Sequence, residues 1–354
     1  MKAISTALLV AGLISACSDL SQAQLSKVQV GYCAKTITSS AAPYAVAMKM
    51  GWFKEEGLDV TLVPLAGSSD CVKNVTTRAI PFAVAAMEPL AVARLQGVKA
   101  KIYYTAYQGN IFGLAVPADS PVQQITQLKG KRIGVIAMGG GVLVAKALLA
   151  NAGLDPEKDV SFVVAGEGGQ TAAVLRSKQV DALSQFDTQY ALVENAGVKL
   201  RMLDNSAIER FPSNGFLALE ETLSSRRREA IGLARGYAKG TMFALANPEA
   251  AVRIFYEVFP AQKPTGKDEG AALRDELKVL QARLPQLRLE RGGVKRWGEN
   301  SEKNYADYAD FLLKWGVIKQ KVNVKDLVTN ELIDEINKFD ESRIVAEAKA
   351  YRPH

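Results

Sequence analysis

The sequence predicts an α/β chain built as two doubly wound sheets in two lobes with a helical C-terminal tail, and three observations carry that prediction. Helix and strand patterns alternate over residues 28–203, glycines close most of the helices, and after residue 219 only helical patterns remain. The stretch 51–64, Gly-Trp-Phe-Lys-Glu-Glu-Gly-Leu-Asp-Val-Thr-Leu-Val-Pro, shows the pattern in miniature. Tyr44, Ala47, Met48 and Phe53 recur at helical spacing, Gly57 offers a left-handed cap, and Val60, Leu62 and Val63 then read as a short buried strand.

In order, the first lobe is expected to hold strand 28–32, helix 43–55, strand 59–64, helix 69–78, strand 82–85, helix 89–96 and strand 101–107. Strands joined by crossovers of this length pair in parallel. Residues 113–117 read as a strand leaving the first sheet, and Ser120-Pro121 starts a short helix ending at Lys129-Gly130. The second lobe repeats the grammar with strand 132–136, helix 142–151, strand 160–164, helix 170–177, strand 181–184, helix 188–195 and strand 199–203. Residues 214–219 return as a strand, and helices are expected at 226–246, 248–258, 269–284, 303–315 and 326–340. Lobe one is thus 25–116 plus 214–354 and lobe two is 117–213, joined by crossing strands near Val116 and Asn214 that serve as a hinge. Ligands of open α/β sheets bind beyond the carboxyl ends of the strands, so two facing sheets enclose a cleft.

At the N-terminus, Lys2 precedes the apolar run 7–14 and then small and polar residues, the layout of an export signal. Spanning a bilayer takes roughly 20 apolar residues, more than this run supplies. Ser21-Gln22-Ala23 resembles a small-x-small cleavage site, making 1–23 a signal peptide. Alternatively, Ile14-Ser15-Ala16-Cys17 resembles a lipoprotein box, which would place a diacylglycerol on Cys17 and tether the domain to a membrane. Both alternatives are extracytoplasmic. Cys33 and Cys71 then remain, one ending the first strand and one opening the helix after the second. A disulfide fits them, as do two free thiols packed as small hydrophobes.

With 354 residues, 48% hydrophobic and 23% charged, the chain can bury two cores. Its net charge of +7 is scattered, and the densest cluster, Arg226-Arg227-Arg228, sits on a polar helix, so no nucleic-acid partner is expected. The sole histidine is His354. At the chain end it cannot anchor a Ser-His-Asp triad or a zinc site, and neither a nucleophile elbow nor a phosphate-binding loop occurs. No catalytic residue, metal or cofactor is therefore expected, and a Glu88–Asp187 carboxylate pair is the residual enzymatic option.

The run 43–60, Pro-Tyr-Ala-Val-Ala-Met-Lys-Met-Gly-Trp-Phe-Lys-Glu-Glu-Gly-Leu-Asp-Val, resembles the opening of the periplasmic binding proteins for taurine, sulfonates, nitrate and thiamine-pyrimidine precursors. Asp119-Ser-Pro-Val, Leu128-Lys-Gly-Lys-Arg-Ile-Gly-Val, Leu148-Leu-Ala-Asn-Ala-Gly-Leu-Asp-Pro and Val180-Asp-Ala-Leu continue the resemblance in order, over residues 28–258. It implies a type II-like two-lobed binding protein in the periplasm. By the same resemblance, a monomer closes its lobes on a small solute and hands it to an ABC permease in the inner membrane. A ligand sensor of the same fold is the alternative. The branch that synthesises thiamine pyrimidine carries a cysteine-rich motif and an active-site histidine, both absent from this sequence.

Candidate ligand contacts lie at the predicted strand ends. Where many members of the resembled family carry Ser-Gly-Ser or Gly-Ser-Thr, this chain has Gly139-Gly140-Gly141, so Gly140 and Gly141 offer backbone N–H groups and no hydroxyl, or form a plain turn. Glu88 and Asp187 either cap their helices or face the solute. If they face it, with no arginine at a strand end to offset them, they favour N–H, O–H or cationic groups over a bare anion. Tyr44, Tyr107 and Phe186 are expected to stack on a ring, with Tyr32, Phe112 and Tyr190 near the same rims. Polar contacts are expected from Thr38, Ser39, Ser40, Ser68, Ser69, Gln108, Asn110, Gln170 and Asn214, each of which also fits a turn or cap. The expected solute is pyrimidine-like, aromatic or sulfonate-type.

Overall fold

A computed structural model describes residues 24–352, and the expected signal peptide, Cys17 and His354 lie outside these residues. Two five-stranded sheets organise the chain. The first runs in the order β2-β1-β3-β10-β4, from β1 (Ser26–Tyr32), β2 (Leu58–Pro64), β3 (Phe82–Ala85), β4 (Ala100–Thr105) and β10 (Gly215–Leu219). The second runs β7-β6-β8-β5-β9, from β5 (Phe112–Pro117), β6 (Lys131–Val135), β7 (Val160–Val164), β8 (Ala182–Phe186) and β9 (Leu200–Met202). In each sheet the early strands pair in parallel, and one strand running the other way is inserted beside them: β10 in the first, β5 in the second.

That arrangement corrects the crossing point near Val116. Residues 113–117 belong to the second sheet, because Phe112–Ala115 pairs antiparallel with Leu183–Phe186. The two passages meet earlier, where the Ala106 and Tyr107 N–H groups both donate to the Asn214 carbonyl and the Ser213 N–H donates to the Tyr107 carbonyl. The boundary set at 116/117 therefore moves to between Thr105 and Phe112. A strand buried on both faces, as β5 is, reads the same whichever sheet it joins.

Among helices of eight residues or more, α1 (Ala42–Lys49), α2 (Ser68–Thr76) and α3 (Met87–Leu95) serve the first sheet, and α4 (Gly140–Asn151), α5 (Gly169–Arg176) and α6 (Asp187–Asn195) serve the second. The tail adds α7 (Arg227–Ala246), α8 (Pro248–Val258), α9 (Glu269–Leu287), α10 (Glu302–Lys314) and α11 (Glu341–Ala350). α7 lies close on α1. A Cβ built on Gly240 would fall 1.9 Å from the Pro43 carbonyl oxygen, and Gly236, one turn earlier, faces the Phe53 ring, so the small residues let the helix axes approach. The expected helix 326–340 is broken, because the Thr329 N–H donates to Ile102 O and Val328 bridges the edge of β4.

Three apolar clusters hold these layers. One packs α1, α7 and α8 against the first sheet. A second is shared between the lobes, joining Ala83, Ile102 and Leu217 of the first sheet to Leu114, Val116 and Ile133 of the second. The smallest, around Leu175, Leu183 and Val193, belongs to the second lobe. Cys33 and Cys71 are bonded, their Cα atoms 5.9 Å apart, which ties the end of β1 to the first turn of α2. No described helix is long and apolar enough to cross a membrane.

Candidate ligand-binding cleft

The carboxyl ends of both sheets open onto one cleft with about 780 Å³ of space, part of it continuous with solvent. Tyr32 ends β1, Ser68 opens α2 behind Gly67, and Tyr107 follows β4. From the other lobe come Gly139, Gly140 and Gly141 at the start of α4, with Gln185 and Phe186 at the end of β8. Of the expected contacts, Ser40, Tyr44, Ser68, Tyr107, Gly140, Gly141, Phe186 and Asn214 line this space.

The glycine run has a steric role here. A Cβ on Gly139 would stand 3.1 Å from Ser69 Oγ across the cleft, and one on Gly141 would stand 3.2 Å from the Ser184 carbonyl. Glycines thus let the first turn of α4 approach the first turn of α2. The leading N–H groups of a helix have no acceptor inside it, so both helix starts direct donors and positive partial charge toward the space between them. On the aromatic side, the Tyr32 hydroxyl pairs with Ser40 Oγ. Burial pushes the Tyr107 hydroxyl up to about 12, with the nearby Arg283 guanidinium opposing that rise, so the phenol is neutral and available as a donor.

Several expected contacts are engaged by protein instead. Thr38 caps the short 3₁₀ turn Ser39–Ala41, and Ser39 is held by α9, its N–H donating to Glu276 Oε1 at 2.6 Å and its hydroxyl to the Glu276 carbonyl at 3.0 Å. Gln108 donates to the Glu299 carbonyl through Nε2 and to the Gln286 carbonyl through its backbone. Asn110 Oδ1 caps the Phe112 N–H at 2.7 Å. Gln170 is exposed on α5, and Ser69 approaches Gly139 at the edge of the cleft without lining it. Tyr190 is core, its hydroxyl donating to the Gly113 carbonyl.

Neither acid lines the cleft. Glu88 is 1% exposed and accepts a hydrogen bond from Tyr308 of α10. Burial raises its pKa to about 7, and the Tyr308 hydrogen bond offsets only part of that rise. Asp187 accepts the Thr188 N–H at 2.7 Å and is clasped by Arg283 of α9, with Nε and Nη2 each within 2.6–3.1 Å of its oxygens. The arginine that offsets Asp187 thus comes from a tail helix and not from a strand end. Arg283 itself lines the cleft, its guanidinium carbon 4.1 Å from the Tyr107 ring centroid and 5.9 Å from that of Phe186. Burial is the largest single influence and works against its charge, yet the opposing influences, led by Asp187, together exceed it and the net direction of its pKa is up.

A signal for Arg283 was present in the sequence. Val279, Leu280, Leu284 and Leu287 form the buried stripe of α9, and Arg283 sits within it, where a cation needs a partner. Along the same helix the Asp275 carbonyl accepts from Asn195 of α6, so α9 touches both lobes. In the loop after β1, Glu167 accepts the Lys35 and Thr36 N–H groups at 3.1 and 3.0 Å. The two lobes are therefore bridged at a second place.

The family model described as NMT1/THI5 like matches residues 38–251. Riboflavin-binding protein RibY of Chloroflexus aurantiacus is 25% identical over 296 residues, covering 82% of this chain and 82% of its own. The 4-amino-5-hydroxymethyl-2-methylpyrimidine phosphate synthase of Legionella pneumophila is 23% identical over 225 residues, 62% of this chain and 69% of its own. Among solved structures, the alkanesulfonate-binding protein SsuA from Xanthomonas axonopodis bound to MOPS aligns with a TM-score of 0.64 at 16% identity, over 86% of this chain and 98% of that one. At that identity the likeness concerns the fold, which is the two-lobed fold of periplasmic binding proteins.

Proposed function

The chain belongs to the NMT1/THI5-like family, and from that premise we propose that it is the extracytoplasmic solute-binding component of an ABC importer. In this reading it captures one small organic solute by closing its lobes and presents it to a permease in the inner membrane. One observation carries it: a single cleft at the carboxyl ends of two sheets is lined from both lobes and bridged by contacts that exist only when the lobes approach. Tyr32, Tyr44, Tyr107 and Phe186 suit a flat or apolar body, and the opposed starts of α2 and α4 suit an electronegative end. Riboflavin-like, pyrimidine-like, aromatic and sulfonate-type solutes all combine these features.

The synthase relative supports an enzymatic alternative, which the residues here do not favour. Among the described residues no histidine occurs and Cys33 and Cys71 are bonded to one another, so neither an imidazole nor a thiolate lines the cleft among them. Asp187 and Glu88 are committed to Arg283 and Tyr308. A binder without chemistry shifts its own melting temperature as ligand concentration rises. Screening the purified chain by thermal shift against flavins, pyrimidines, aromatic acids, taurine, alkanesulfonates and nitrate is expected to give a concentration-dependent rise for one class, with the compound recovered unaltered. Recovery of a changed compound would overturn the proposal.

A further inference from the structure

The following rests on the solute-binding reading above. Arg283 is the one cationic side chain lining the cleft among the described residues, and only 3% of its side chain is exposed. Its fork to Asp187 uses Nε and Nη2, and Nη1 takes no part in that fork. The Tyr107 ring, 4.1 Å away, fixes the guanidinium plane on one side. A buried, oriented donor beside aromatic faces has an evident use. We propose that Arg283 is a specificity-determining residue, donating to an acceptor oxygen carried on or beside a planar ring of the solute.

The partner residue decides which oxygens are accepted. With Asp187 neutralising the guanidinium, the site presents directed N–H donors with little net charge, which suits a ring carbonyl as well as a carboxylate or sulfonate. At the free edge of the guanidinium an ammonium group meets a donor rather than an acceptor and is disfavoured. The fork also couples recognition to closure. Arg283 is held with lobe one, since α9 caps Ser39 through Glu276, whereas Asp187 opens α6 of lobe two. Separating the lobes leaves each charge without its partner, so the oriented donor exists in the closed form alone.

Isothermal titration with benzoate, benzenesulfonate, uracil and riboflavin, and with benzylamine as the cationic counterpart of benzoate, tests this on the wild type and on R283Q, R283K and D187N. At least one oxygen-bearing probe is expected to bind about tenfold or more tighter than benzylamine. R283Q is expected to lose about 10- to 100-fold in affinity for that probe and R283K to recover part of the loss. D187N exposes the solute to an unneutralised guanidinium, so the ratio of benzoate to uracil affinity is expected to rise, which a purely structural pair would not change. Unaltered affinity in both R283Q and R283K, equal binding of benzylamine, or no binding of any of the four oxygen-bearing probes overturns the proposal. Each of these leaves the solute-binding reading standing while the wild type binds some other member of the wider screen, and only failure of the whole screen counts against that reading.

Discussion

Glu88 and Asp187 occupy matching places in the two lobes, each in the first turn of the helix that follows a central strand, β3 in one and β8 in the other. Their surroundings differ completely. Tyr308 and the inter-lobe core seal Glu88, and the second carboxylate oxygen has no partner among the described residues. A cation reaches Asp187 from α9, almost a hundred residues later in the chain, and holds it through three short contacts. The same local signal, an acid at a helix start, thus yields a carboxyl group near its titration point in one lobe and a paired anion in the other. What separates the two outcomes is which part of the tail packs above them.

The largest expected effect comes from breaking the pair in the second lobe. D187N leaves a buried guanidinium without its anion, and a loss of about 3–5 kcal/mol is expected in denaturant unfolding. A double-mutant cycle with R283Q is expected to show strong coupling, the double variant being less damaged than the sum of the singles.

Next comes the pH dependence of the first lobe. Glu88 holds its proton more tightly in the folded chain, where its pKa is about 7, than at the ordinary value of 4.5. Its contribution is therefore complete below pH 4.5, declines as pH rises toward 7 and is flat above that. E88Q keeps the neutral form at every pH. Its stability relative to wild type is expected to rise by up to about 3 kcal/mol across that window, measured by denaturation at a series of pH values.

Y308F sharpens the same contrast. It removes the hydrogen bond that favours the carboxylate, so Glu88 is expected to titrate higher still, with stability at neutral pH lower by about 1–2 kcal/mol. The smallest effect is expected from E276A, which uncaps Ser39 and costs about 1 kcal/mol at neutral pH by thermal unfolding while sparing both Glu88 and Asp187.

How far the sequence could be read follows from where each decision is made. Gly57, Gly153 and Gly197 all stand at positive φ after helices, so the punctuation that separated helix from strand was a backbone property carried by single residues. The glycine run at the start of α4 and Ser68 at the start of α2 are legible for the same reason, since strand ends and helix starts are local. Asp187, Glu88, Ser39 and Gln108 stand near the expected strand ends, where the sequence leaves solute contact and capping both open, and α9, α10 and the segments around them supply their hydrogen-bond partners.

Alternating periodicity and glycine stops therefore sufficed for two α/β sheets, their order along the chain and the ends at which a cleft must open. Membership of β5 in the second sheet, the partner of each acid and the presence of Arg283 in the cleft were decided by tertiary packing. Hydrogen-bond donors and apolar stripes are written residue by residue, whereas the group that satisfies a buried charge is set by chain segments far apart in sequence.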